Sequence, residues 1–196
     1  MRTAAKFVAL GALAVLVAMA PLSATILKQM NLADLAGNAN RIFSGTVIEI
    51  GKSDLTVGGG KIATVTYRVI VDNAFRGSFI DKEGRKVAEI RMVTDPGPRH
   101  VGNKVSFSTL PEMPKIQMGQ RYLFFTTAPS SVGLSTTVGL GQGCFRISGD
   151  PGEEMTTNEF DNLGLFRGMS APGMPERGPI SYSRLVQQID ALLGRK

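Results

Sequence analysis

"RIFSGTVIEIGKSDLTVGGGKIATVTYRVIVDNAFRG", residues 41–77, decides the fold. In its second half Val65, Tyr67, Val69 and Val71 alternate with Thr64, Thr66, Arg68, Ile70 and Asp72. A period of two puts one set on a buried face and the other toward solvent, the pattern of a half-buried antiparallel strand. "IFSGTVIEI" (42–50) reads as a partner strand, and Gly58-Gly59-Gly60 stands where a hairpin must reverse. A long β-hairpin is therefore the first element with a mechanism behind it.

Working outward, "KVAEIRMVT" (86–94), "KVSFSTL" (104–110), "RYLFFTTA" (121–128) and "LSTTVGLGQGCFRI" (134–147) are further strands. "DPGPRHVGN" (95–103) and "LPEMPKIQMGQ" (110–120) lie between them and are dense in turn formers. Short strands separated by Gly/Pro turns predict a mainly β protein, an antiparallel barrel or sandwich. "TILKQMNLADLAGNAN" (25–40) before the strands spaces Leu27, Met30, Leu32, Leu35 and Ala36 as a short helix, with Gly37-Asn38 as its stop. At the far end, Tyr182, Leu185, Val186, Ile189, Leu192 and Leu193 form one apolar stripe of an amphipathic helix within 180–196. Ser181 is its N-cap, Ile180 staples onto Leu185, and Arg195 and Lys196 suit its negative pole. The helix should cover a face or end of the β core. Residues 148–179, with six glycines, four prolines and an acidic balance, form a long connection of the kind that is functional, packed or disordered. Phe160, Leu163, Leu165 and Phe166 predict that its middle packs.

Residues 1–24 have the three parts of a secretory signal peptide: Arg2 and Lys6, the apolar run "FVALGALAVLVAMA" (7–20), and small residues at Ser23 and Ala24. That run holds 14 residues, too few for the roughly 20 that cross a bilayer as a helix. Cleavage after Ala24 is expected, giving a periplasmic or extracellular chain without a stable membrane span. Removing Arg2 and Lys6 lowers the net charge from +6 to +4. The remainder is uneven: residues 41–146 carry 14 basic and 8 acidic groups, residues 147–196 carry 5 and 7. The basic residues are scattered and not interleaved with aromatics, so nucleic-acid binding is not expected. The expected organisation is a signal peptide (1–24), a β-barrel domain (25–147), the Gly/Pro-rich acidic loop (148–179) and the C-terminal helix (180–196) of the same domain.

Chemistry is sparse. Gly139-x-Gly141-x-Gly143 has neither the dinucleotide nor the P-loop spacing, and "CFRI" continues as strand rather than helix. These glycines mark a close approach between backbones or a sharp bend. His100 is the single histidine, so a two-histidine metal site is excluded. A hydrolase would need His100 beside a nucleophile such as Ser106 or Cys144, with Asp95 and Arg99 nearby. Cys144, without an internal disulfide partner, reads as a buried small apolar residue. Glu153-Glu154 are solvated loop acids, and "DPGEEMTTNEFDN" (150–162) has the composition of a calcium loop without its spacing. No catalytic, cofactor-binding or metal residue is expected.

A short helix, "IFSGTVIEI", a long strand ending "VDNAFRG" (71–77), "GQRYLFFTTA" (119–128), "VGLGQGCFRI" (138–147) and a terminal helix together resemble a class of small exported bacterial proteins. The resemblance covers most of residues 30–147. That class is similar in outline to the five-stranded OB barrel of netrin-like domains and tissue inhibitors of metalloproteases. It implies a small barrel of five to six strands with the two helices packed against it, and a protein-binding or protease-inhibiting role. Those inhibitors place an N-terminal cysteine on the protease zinc, and no cysteine stands near Thr25, so no functional residue carries over. The expected function is a non-enzymatic exported binding or envelope-associated module, contacting a protein or envelope component through the acidic loop and the turn at Pro96–Asn103. The alternatives are an inhibitor of a secreted protease acting through "LPEMPKIQ" (110–117), and a hydrolase using His100.

Overall fold

The computed structural model describes residues 28–95, 99–101, 104–106 and 112–195. The signal-peptide expectation for residues 1–24, and cleavage before Thr25, lie outside the described residues. The chain runs α1 (Leu32–Asn38), β1 (Arg41–Val57), β2 (Gly60–Arg76), β3 (Ile80–Lys82), β4 (Arg85–Val93), β5 (Arg99–Val101) and β6 (Lys104–Ser106). It continues with β7 (Arg121–Thr126), a 3-10 turn (Leu140–Gly143), β8 (Cys144–Ser148), β9 (Met155–Thr157), β10 (Ile180–Ser181) and α2 (Tyr182–Leu192).

The hairpin read from residues 41–77 is the spine of the molecule. Val57 pairs with Gly60 across Gly58 and Gly59, whose φ angles of 58° and 79° fit the primed two-residue turn. β1 then pairs with β2 on one side and β7 on the other, and the main sheet has the order β10-β9-β8-β7-β1-β2-β4-β3, antiparallel throughout. A separate hairpin joins β5 to β6.

The mainly β class is as expected, but the five-to-six-stranded barrel is not what the ladders form. Eight strands make one open sheet, because the expected loop at 148–179 contributes β9 and extends the sheet beyond β8. Register shifts at Ile42/Phe43, Ser44/Gly45 and Val47/Glu49 bend β1 strongly. At the second of these, a Cβ on Gly45 would stand 2.1 Å from the Ile70 carbonyl oxygen, so only glycine lets the strands meet there. The sheet curls until the segment after β7 reaches the outer edge of β4, where Ser135 N–H donates to Arg91 C=O at 2.8 Å.

Alternation gives the sheet two buried faces. One holds Ile42, Leu123, Phe125, Phe145 and Ile147, covered by Leu32 and Leu35 of α1 and by Leu185 and Ile189 of α2. The other holds Phe43, Val47, Val65, Val69, Ile90, Phe124 and Cys144, covered in part by Ile116 from the "LPEMPKIQ" segment. α1 begins with a reciprocal cap, Asp34 N–H to Asn31 Oδ1 at 2.8 Å and Asn31 N–H to Asp34 Oδ2 at 3.2 Å. Arg76 from the end of β2 satisfies its last carbonyls, Ala36 and Ala39. The apolar stripe of α2 is as predicted at Tyr182, Leu185 and Ile189, all buried, while Leu192 is exposed. Ser181 occupies the N-cap, yet its hydroxyl meets Ser183 Oγ instead of a backbone N–H.

The seat of α2 is also polar. Tyr182 Oη accepts from Asn73 Nδ2 at 3.0 Å and lies 2.8 Å from Ser44 Oγ, which is fully buried. Arg121 lies over the Tyr182 ring, 5.0 Å from its centre, and bridges Asp72 and Glu154, each at 2.9 Å. Tyr182→Phe removes the partner of a buried hydroxyl and should destabilise by about 1–2 kcal/mol in urea unfolding. In the Ser44→Ala background the same change should cost clearly less; equal costs in both backgrounds would refute the contact's role.

Candidate functional site

Beside the outer edge of β4 lies a groove of about 720 Å³. Its charged lining is Arg41, Glu89 and Arg91, its hydroxyl lining includes Ser53, Thr66 and Ser78, and its apolar wall is formed by Phe79, Ile80, Val87 and Pro129. The groove is a gap in strand pairing. β3 occupies the β4 edge as far as Val87, and Ser135 takes it again at Arg91. Between them Arg41 Nη2 donates to the Glu89 carbonyl at 2.8 Å.

Arg41 is held there by its surroundings. It opens β1 opposite Thr126, and its guanidinium lies 5.9 Å from the centre of the Phe43 ring. Gly77, with φ of 96°, leaves room for its stem: a Cβ there would stand 2.6 Å from Arg41 Cγ. Burial lowers the pKa of this guanidinium from its ordinary value, although an arginine stays charged across the working pH range. Its Nε is buried without a hydrogen-bond partner. Arg91 is set by hydroxyls instead, with Nε 3.3 Å from Thr64 Oγ1 and Nη2 3.3 Å from Ser53 Oγ. Neither arginine pairs with a carboxylate among the described residues, whereas Glu89 is taken by Arg68 at 3.3 Å and Arg68 also meets Glu49. The arrangement presents two arginines without a carboxylate partner among the described residues, and several hydroxyl groups, next to an apolar wall.

The residues singled out from sequence lie elsewhere. His100, read within a turn, belongs instead to a β-hairpin, opposite Val105, and Ser106, read on a strand, stands opposite Arg99 in the same hairpin. The turn expected to make contacts, Pro96–Asn103, is described only at Arg99–Val101, and the expectation for the His100 side chain lies outside the described residues. Cys144 is buried as predicted, in the cluster with Phe124 and Tyr122. Burial pushes its thiol pKa far up, so it stays a neutral thiol.

The three glycines are close-approach positions, as expected, but not in a strand. Leu140–Gly143 is a 3-10 turn, and β8 starts only at Cys144. Gly139 has φ of 61°, and a Cβ on Gly141 would meet Glu159 Cβ at 2.9 Å and Glu112 O at 3.0 Å.

Three acids of 148–179 are engaged within the molecule, two of them with the body of the protein. Glu154 meets Arg121 and accepts from Gly152 N–H at 3.2 Å, and the backbone bond, followed by the Arg121 contact, lowers its pKa. Glu159 accepts from Lys115 N–H at 3.0 Å, and Asp161 pairs with Arg177 at 2.8 Å. Asn162, buried, donates to Thr156 O at 2.8 Å and Gly178 O at 2.9 Å, knitting both ends of this segment to its middle. In "LPEMPKIQ", Pro114 and Ile116 are buried, while Lys115 and Gln117 face outward.

Sequence reading overlooked the arginine pair. The available signal was Arg91 alternating with buried apolar residues in "KVAEIRMVT", but nothing local links it to Arg41, 50 positions earlier. No helix of the described residues is long and apolar enough to cross a membrane. No protein-family model matches the chain, and no curated protein matches it.

Proposed function

We propose that the protein is an exported, non-enzymatic binding module of the cell envelope or the extracellular medium, and that it contacts its ligand at the groove beside β4. Support for export is the composition of residues 1–24, a basic start followed by a short apolar run and small residues. The observation that carries the binding reading is the groove itself, in which two arginines without carboxylate partners among the described residues face an apolar wall. The curled sheet is read as a variant of the OB-like barrel, in which β4 and the segment after β7 meet through the Ser135–Arg91 contact instead of a full ladder. Such barrels carry binding surfaces on strands and loops, which is a fold-level analogy and no more.

The test uses the full chain with a C-terminal tag, expressed with its leader and recovered outside the cytoplasm. Its N-terminus should be Thr25. Immobilised protein should retain a protein, glycan or lipid from envelope extract, and the Arg41→Gln/Arg91→Gln variant should retain at least about tenfold less, as loss of charged hydrogen bonds predicts. Retention of nothing, or equal retention by the variant, would end this reading.

A further inference from the structure

We propose that the groove beside β4 takes a small organic oxyanion, a carboxylate or phosphate carried on a short apolar body, with Arg41 and Arg91 as its charged contacts. The proposal rests on the binding-module reading and specifies the ligand's chemistry.

The head group follows from the donors. Arg41 and Arg91 bring two guanidinium groups to the lining of one groove. Arg41 spends Nη2 on Glu89 C=O, and it remains a cation of the groove lining. Arg91 holds neutral hydroxyls at 3.3 Å, long contacts that a charged oxygen would better. Guanidinium forks match the planar or tetrahedral oxygens of carboxylate and phosphate alike. Ser78 and Thr66 add neutral donors along the same lining.

The body of the ligand follows from the opposite wall. Phe79, Ile80 and Val87 supply apolar surface, and Ile80 is 53% exposed. An apolar tail laid against Ile80 would take that surface from water. A peptide strand is a poor occupant, since Arg41 already holds the edge carbonyl that such a strand would pair with. A polyanion fits poorly as well: Glu89 also lines the groove, so its charge opposes a ligand with many negative groups.

The experiment follows the Nε–Hε signals of Arg41 and Arg91 by heteronuclear NMR in the full mature chain. Inorganic phosphate, hexanoate, hexyl phosphate and neutral hexanol are titrated at constant ionic strength. Hexanoate and hexyl phosphate should shift both arginine signals saturably. Hexyl phosphate should bind tighter than phosphate by about tenfold for every two methylenes buried. Hexanol should leave both signals in place. The tighter of the two tailed anions identifies the head group. Arg91→Gln should weaken binding by about tenfold or more with an unchanged melting temperature. Because Arg41 also caps a strand edge, Arg41→Lys, which keeps the charge and loses the fork, is its companion variant and should weaken binding as well.

Silence of both tailed anions, equal binding of hexanol, or undiminished affinity in Arg91→Gln would overturn the proposal. So would phosphate binding that a tail does not improve. If the probes are silent while the pull-down retains a groove-dependent partner, the anion assignment fails and the binding module stands. If the pull-down fails for wild type and variant alike, the module reading falls with the envelope ligand, whatever the probes do.

Discussion

Gly143→Ala should lower stability by about 3–4 kcal/mol, the upper range for overpacking a well-filled site. The added Cβ would stand 2.3 Å from Val138 O, 3.1 Å from Val138 N and 3.2 Å from Phe125 O. All three neighbours are backbone, so no side chain can swing aside to relieve the contact. Val138 N–H donates to Phe125 C=O at 2.8 Å, and moving either backbone to admit the methyl would strain that bond. For a chain of this length the cost corresponds to a melting temperature lower by roughly 10 °C. Thermal unfolding followed by circular dichroism measures it, and a fall of less than about 2 °C would show that the turn at 140–143 relaxes freely. Gly152→Ala, where a Cβ meets nothing within 4 Å but φ is 95°, isolates the cost of backbone conformation alone, about 1 kcal/mol or somewhat more.

Phe124→Ala should cost a similar or larger amount, about 3–5 kcal/mol. Phe124 is fully buried, with ring centres 5.3 Å from Phe43 and 5.5 Å from Tyr122. Phe43 in turn stands edge-on to Phe79, 5.2 Å away, in the wall of the groove. Removing the ring opens a hole between strands whose backbones are paired on both sides, so collapse is restricted. Tyr122 cannot move in to fill it, since its hydroxyl accepts from Gln117 N–H at 3.0 Å. Urea unfolding should show a lower midpoint with an unchanged slope, the sign of lost stability without a change of compactness. Leu163→Ala, at a position 43% exposed, serves as control and should stay within about 0.5 kcal/mol of wild type. Indistinguishable midpoints for the two variants would contradict the packing described for this face.

Much of this architecture can be read in the chain because its strongest signals are local. The β1–β2 hairpin shows as alternation plus two glycines that tolerate positive φ, and both act within a few residues. β7 and the buried stripe of α2 show for the same reason. What escaped is non-local. "IDK" at β3 has no apolar alternation and becomes a strand because β4 offers it an edge. β9 and β10 are three and two residues long within a Gly/Pro-rich stretch, and they form because β8 has a free side. Strand closure escaped for a different reason. Strand count and curl depend on bulge positions in β1, and a bulge such as Ser44/Gly45 is set by the partner strand as much as by its own residues.

The candidate site was less legible than the fold. Arg41 and Arg91 belong to strands two places apart in the sheet, and they line one groove because the sheet curls and Gly77 leaves room for Arg41. Single residues that look chemical, such as Cys144, are instead placed by packing. The acidic segment, read as a surface for partners, spends Glu154, Glu159 and Asp161 on contacts within the molecule. Charge composition reveals how many such groups exist, and only the fold reveals which are already committed.

The outermost strands of the main sheet bear on edge-to-edge association between molecules. β3 is three residues long and carries Asp81 and Lys82, while β10 is two residues long and turns at once into α2. A neighbouring molecule adding itself edge to edge would find too short a template at either border, and at one of them a pair of charges. The two terminal strands of the main sheet are thus poor templates for edge-to-edge growth, by their shortness rather than by a closed ring of hydrogen bonds.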